Sequence, residues 1–278
     1  MAGNGADSSG VPEGDVDGPF PDGFNGDKSL EPEYYDMSQE RKMIIFNHFE
    51  YNHDYPGERG QPPTRNGTYR DVEALTKTGE SLNFDVTPYH DKTHDEILGI
   101  MDDFCKQDHR DTSCVCVCIL THGLNGGELN ARDKSFNLAD IVSKLQNRAP
   151  GLVGKPKLLI VQACRGLCLD AGKLVHVDGP GEVLWLPSHV DTLLLRSSVE
   201  DYGSFRNDHG SWLIQTFCRV VDAKHRQMDL MQMIVIVSRL VACERVSYCP
   251  ERLWEHNKKQ TPEMRSTLLK TLRFTDPV

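Results

Sequence analysis

A chain of 278 residues, 38% hydrophobic and 26% charged, is long enough to bury one α/β core, and no run in it approaches the ~18 apolar residues that a membrane span requires. Its net charge of −10 is local: residues 1–37 hold nine acids and a single base, Lys28, which leaves about −2 for the remainder. No basic cluster is dense enough to point to nucleic acid, and no internal repeat or coiled-coil heptad is present.

Residues 1–37 are rich in Gly, Asp and Pro and poor in large apolar side chains, so they cannot offset the cost of ordering and are read as a disordered acidic segment. Met1 to Gly5 lacks the basic and apolar regions of a secretory leader. Nine cysteines, an odd count with several inside apolar runs, suit free thiols in a reducing compartment better than a disulfide framework. A soluble, cytoplasmic protein is expected.

Along the chain, Lys42 to His48 reads as a first strand. A helix is expected from Thr68, as N-cap, through Thr76, stopped by Thr78-Gly79, and Phe84 to Tyr89 reads as a second strand. Thr93 with Glu96 three residues later makes a capping box, and Ile97, Ile100, Met101 and Phe104 follow at helical spacing, which predicts a helix over 94–106. A strand at 114–121, a short helix near 138–147 and a buried strand from Lys157 to Val161 come next. Residues 165–188 form a long glycine-rich loop of the kind that is usually functional. Val190 to Ser197 returns to strand character, and Gly210 to Val221 is helical. Asp229 to Cys243 is an apolar helix with Leu230, Ile234, Val237 and Leu240 on one face, and Ser266 to Phe274 closes the sheet. Strands alternating with helices predict a mostly parallel sheet covered on both faces.

Two of these strands end in reactive groups. The run ending at Val161 leads into Gln162-Ala163-Cys164-Arg165-Gly166, and the run ending at Leu120 leads into Thr121-His122-Gly123. Ligands of open α/β sheets sit at the carboxyl ends of strands, and a thiol beside an imidazole is the minimum for an activated cysteine nucleophile.

The pentad at 162–166 is recognised rather than deduced: it is the signature of the caspase family. From about Tyr34 onward the chain resembles a caspase in several further pieces, which are Met43 to His48, Arg65-Asn66-Gly67-Thr68, Leu120 to Gly123, Gly154-Lys155-Pro156-Lys157, Ser204 to Asn207 and Gly210-Ser211-Trp212. The resemblance implies a three-layer α/β sandwich with about six main strands flanked by helices, dimerising through the last strand. It also implies a cysteine endopeptidase that cuts after aspartate, in which Cys164 attacks, His122 acts as general base, and the backbone amides of Gly123 and Cys164 hold the oxyanion. No third acid is evident, and the resemblance suggests that a backbone carbonyl orients His122.

Arg65, Gln162 and Arg206 match the positions that line the family's first specificity pocket, with Ser204 beside them and Trp212 shaping the distal subsites. Two guanidiniums and an amide make a carboxylate receptor, and such a site rejects substrates lacking that group by factors of order 10⁴. Caspases are stored as zymogens, so cleavage is expected after Asp178, with Asp170 as second choice, and after Asp17. The chain is thus read as a disordered acidic prodomain 1–37, most of which the Asp17 cut would shed, a large-subunit region 38–178 and a small-subunit region 179–278. The expected partners are protein substrates bearing aspartate and a second copy of the chain, with an upstream initiator caspase and inhibitor-of-apoptosis proteins as further candidates. No cofactor or metal is expected.

Cys114, Cys116 and Cys118 alternate as one strand face and read as packing rather than a zinc site, while Cys168 reads as incidental. His90, Asp91, His94 and Asp95 resemble a metal cluster, yet a solvated helix start explains them. Three departures from the family pattern, namely Gly203 where an aromatic is usual, a short turn at 206–210 with His209 near the distal pocket, and the unexplained Arg196, motivate an alternative: a catalytically weak homologue acting as dimerisation partner or regulator. A nucleotide-binding protein is a distant third, because no glycine-rich phosphate loop follows the first strand.

Overall fold

The apolar runs at the centre of the sequence become the centre of a sheet. In the computed structural model, which describes residues 33–56, 60–124, 128–164, 190–199, 204–248, 250–251, 253 and 256–275, the strand β3 (Thr112–Leu120) is buried at every position, and so is β6 (Lys157–Gln162). Strands covered on both faces read as continuous apolar runs, as these do. The six-stranded sheet also contains β1 (Glu40–Asn47), β2 (Phe84–His90), β7 (Thr192–Arg196) and β10 (Glu263–Ser266), in the order β10-β7-β6-β3-β1-β2. All neighbours are parallel except β10, which runs antiparallel to β7.

Alternate residues of the strands feed two cores. Met43, Ile45, Cys116, Cys118, Leu158 and Ile160 pack under α1 (Thr68–Ser81), α4 (Trp212–Lys224) and α5 (Leu230–Arg239). Ile44, Phe46, Val117, Ile119, Leu159 and Val161 pack under α2 (His94–Cys105) and α3 (Leu138–Asn147). The result is a three-layer sandwich. Cys114, Cys116 and Cys118 are apolar packing in the first core, with the sulfurs of Cys116 and Cys118 3.7 Å apart. The capping box of α2 forms as expected, and the polar residues around it are partnered separately: Asp91 accepts Phe49 N at 2.6 Å, and His94 meets Asp95 at 2.7 Å.

Several boundaries differ from expectation. The N-cap of α1 is Gly67, and the helix runs past Gly79 to Ser81. Gly79 is a packing glycine, since a Cβ there would lie 2.9 Å from the Val86 side chain and 3.1 Å from Met43. Gly210-Ser211 is not helical but forms β9, paired with β8 (Arg206–Asn207), and α4 begins at Trp212 with Ser211 as its cap. The helix expected to reach Cys243 leaves α-geometry at Arg239 and continues as a π-turn over Leu240–Glu244, which buries Val241 where Leu240 was expected. Its own capping box, Asp229 with Gln232, was not anticipated.

The last strand is Glu263–Ser266, ahead of the segment expected to close the sheet. Leu272 and Phe274 leave the sheet edge to fill the first core, and Arg41 Nη1 fixes the chain there by donating to Phe274 O at 3.1 Å. A hairpin of β4 (Glu128–Asn130) and β5 (Ser135–Asn137) was also unforeseen. Arg196 gains a physical account: it lies directly across the antiparallel pair from Glu263, an opposite charge. Residues 1–32, Cys168, Asp170, Asp178 and Gly203 lie outside the described residues. No described helix is long and apolar enough to cross a membrane.

Candidate active site

Neighbouring strands deliver the thiol and the imidazole together. Leu120 of β3 is in register with Gln162 of β6, and Thr121 N donates to Gln162 O at 3.1 Å, so Thr121-His122-Gly123 and Ala163-Cys164 leave the sheet side by side. A Cβ on Gly123 would lie 1.9 Å from Cys164 O, so only glycine allows the two backbones to come this close.

His122 is held from three sides. Its Nε2 lies 2.8 Å from Pro63 O, and because a carbonyl only accepts, Nε2 carries the proton and Nδ1 is left free to take one. The Tyr51 ring lies 5.6 Å from the imidazole, and His122 N donates to Tyr51 OH at 3.2 Å. Thr121 Oγ1 donates to Asn130 O at 2.6 Å, so Tyr51 OH must donate to Thr121 Oγ1 at 2.8 Å, and both hydroxyls are satisfied. Burial, reinforced by the Arg65 charge, pushes the His122 pKa down to about 4, so the ring is neutral, the form of a base, at neutral pH.

Cys164 is half-buried, and its polar contacts among the described residues are all with Ser204: the backbone N and Oγ each lie 3.4 Å from Sγ, and the carbonyl 3.8 Å. No thiol–imidazole hydrogen bond is formed; such contacts are often long before substrate binds. Gln162 Nε2 also donates to Ser204 Oγ, at 3.0 Å.

Arg65 is 0% exposed. Its Nη1 donates to His48 O at 2.9 Å and Thr68 Oγ1 at 2.7 Å, while Nε and Nη2 have no partner. Burial, then the charge of Arg206, lowers its pKa to about 10, which leaves it a cation. A buried cation with two open N–H donors is costly unless an anion arrives. Arg206, on the β8–β9 turn, donates from Nε to Asn66 O at 2.8 Å, and burial lowers its pKa too. The Asp71 carboxylate favours the charged form of both arginines, working against the lowering by burial. Trp212 packs against Phe205 with centroids 4.8 Å apart and the rings tilted by 31°, and Phe205 N donates to Gln260 Oε1 at 2.7 Å.

A family model described as the caspase domain matches residues 40–273. The chain belongs to the caspase family. This caspase is 34% identical to Caspase drICE of Drosophila melanogaster over 256 residues, 88% of this chain and 73% of that one. It is also 34% identical to Caspase-3 of Mesocricetus auratus over 255 residues, 89% and 87% of the two chains. The crystal structure of Caspase-1 from Spodoptera frugiperda superposes with a TM-score of 0.77 at 31% identity, covering 87% of this chain and 93% of that one. The caspase is therefore a cysteine endopeptidase with the three-layer fold expected of it. The backbone carbonyl that the resemblance implies against His122 is that of Pro63, a residue the sequence did not name, and sequence reasoning did not single out Tyr51, Asp71 or Phe205. Of these, only Phe205 carried a signal, as an aromatic inside the Ser204 to Asn207 match.

Proposed function

We propose that this caspase hydrolyses peptide bonds after aspartate, with Cys164 as nucleophile and His122 as general base, in programmed cell death. The observation that carries the reading is the fully buried Arg65 with two open donors beside Arg206. The neutral His122 accepts the Cys164 proton at Nδ1, and the thiolate attacks the carbonyl carbon of the aspartyl residue. The amides of Gly123 and Cys164 stabilise the resulting oxyanion, whose collapse breaks the C–N bond as His122 returns its proton to the leaving amine. Water, deprotonated by His122, then hydrolyses the thioester and frees Cys164. Arg65, Arg206 and Gln162 receive the aspartate carboxylate, while Ser204, Phe205 and Trp212 line the path of the preceding residues.

Activation is by cleavage after Asp178, or Asp170, and near Asp17, which sheds most of the acidic segment and separates the large-subunit region (38–178) from the small-subunit region (179–278), the two together carrying the sheet. The outer position of β10 suits pairing with a second copy, and the seven described cysteines, all free, suit the cytoplasm. Initiator caspases and inhibitor-of-apoptosis proteins remain candidate partners. The regulatory alternative loses one of its motives once Arg196 has Glu263 opposite it.

The test is hydrolysis of fluorogenic tetrapeptides ending in Asp, Glu, Asn or Arg by wild type and C164A, with mass spectrometry of self-cleavage. Asp preference that disappears in C164A supports the reading. No turnover of any peptide, even after the loop is cut deliberately, favours the regulatory homologue.

A further inference from the structure

Arg65 and Arg206 come from distant parts of the chain, repel each other, and face the same site. Arg206 stands on a six-residue hairpin, 206–211, whose two strands are two residues each, too short to fix a side chain by themselves. Something has to hold that turn against the Arg65 loop, and Asp71 is built to do it.

Asp71 lies in the first turn of α1 and is 0% exposed. Its Oδ1 accepts Ser211 N and Gln215 Nε2, each at 2.8 Å, and Oδ2 lies 3.1 Å from Ser211 N. Ser211 is the cross-strand partner of Arg206, so Asp71 grips the residue directly opposite the arginine. Gly210 makes room: at φ 105 it holds a conformation that suits glycine, and a Cβ there would lie 2.4 Å from Asp71 Oδ1. At the other end of the turn, Arg206 Nε bonds Asn66 O at 2.8 Å, and a Cβ on Gly67 would sit 2.0 Å from Asn207 O. The segment 66–71 immediately after Arg65 thus clasps the turn at both ends.

A neutral acceptor could satisfy Ser211 N equally well, and burial raises the Asp71 pKa, so a carboxylate is the costlier choice. What distinguishes it is charge, since it is an anion behind two cations. Its oxygens are occupied by Ser211 and Gln215, so it acts through the arginines rather than on substrate.

We propose that Asp71 is the positioning residue of the carboxylate pocket: it anchors the Arg206 turn to the Arg65 loop and is the counter-charge that lets two arginines face one empty site. This rests on reading Arg65 and Arg206 as the receptor for the substrate aspartate.

The test uses the purified full chain with D71N, which keeps the shape and removes the charge. On the Asp-ending tetrapeptide the expected result is a KM raised about tenfold or more with kcat within about threefold. Alkylation of Cys164 by iodoacetamide, a small neutral reagent that does not need the pocket, stays at the wild-type rate. The decisive measurement repeats D71N in an R206A background, followed as kcat/KM: a residue acting through Arg206 adds no further loss there. An equal loss in both backgrounds, or no rise in KM in either, overturns the proposal. Should D71N fail to fold, Q215A, which removes one of the two donors to Asp71 Oδ1 and leaves Ser211 N in place, gives the same split at about threefold and the same silence in R206A. If R206A alone leaves kcat/KM for the Asp peptide unchanged, the pocket reading itself has failed, whatever D71N does.

Discussion

Gly123 and Cys164 are packed backbone to backbone, so that the position of a Gly123 Cβ coincides with the Cys164 carbonyl oxygen to within 1.9 Å. The contact places the two amides proposed as the oxyanion hole on adjoining strand ends, and it leaves no space for a side chain. G123A must therefore push the Cys164 peptide aside. The expected outcome is a kcat lower by about 10² to 10³, the cost of losing one oxyanion donor. KM should change far less, since Arg65 and Arg206 are untouched. Steady-state kinetics on the Asp-ending peptide decide it, and a kcat within threefold of wild type would falsify the oxyanion assignment.

Arg65 sets function against stability. A fully buried cation with Nε and Nη2 unpartnered costs desolvation that the Asp71 charge offsets in part and a ligand carboxylate offsets further, while its two bonds, to His48 O and Thr68 Oγ1, are ordinary hydrogen bonds. R65M replaces it with a neutral side chain of related length. The kcat/KM for the Asp peptide is expected to fall by 10³ or more, while unfolding free energy stays within about 1 kcal/mol of wild type. Urea melts of the unliganded protein supply the second number. A loss of several kcal/mol would mean that Arg65 is a structural ion rather than an open receptor.

The strand frame was legible because β3 and β6 are buried on both faces and so carry uninterrupted apolar runs, and α2 was legible because Thr93 and Glu96 cap it. Glycine misled in both directions. Gly79 reads as a helix stop but is there for contact with Val86 and Met43, and Gly210 reads as helix but exists to admit Asp71. Both reasons lie in residues remote in sequence, and no local pattern encodes them. The motif-bearing site residues were found the same way as the family, by recognition. Their supports were less legible: the resemblance implied a backbone carbonyl against His122 but not that it is Pro63's, since a backbone group has no side-chain signature, and the Tyr51 hydroxyl reaches His122 across 71 residues.

The pH profile should differ between free and substrate-bound enzyme. His122 must be neutral to act as base, so activity is lost as pH falls through its pKa. In the free protein that pKa is about 4, held down first by burial and then by the charges of Arg65 and Arg206. A substrate carboxylate seated between the arginines cancels those charges, so the pKa of His122 rises in the complex. The acid limb of kcat is therefore expected to lie at higher pH than that of kcat/KM, by about half a unit or more. Coincident limbs, or the reverse order, would show that the pocket and the base are not electrostatically linked.

Tyr51 is the remaining support whose removal can be separated from folding. Its ring packs between His48, at 6.2 Å, and His122, at 5.6 Å, and Y51F keeps that packing. What goes is the hydroxyl that accepts His122 N and donates to Thr121 Oγ1. The backbone amide of His122 is then left without its partner, at a cost of about 1 to 2 kcal/mol, and the imidazole loses one of its three constraints. A fall in kcat of about fivefold to twentyfold is expected, with KM for the Asp peptide little changed because neither arginine bonds Tyr51. A change confined to KM would place Tyr51 with the specificity pocket instead. Wild-type kinetics in Y51F would leave the Pro63 carbonyl and the surrounding packing to orient the base by themselves.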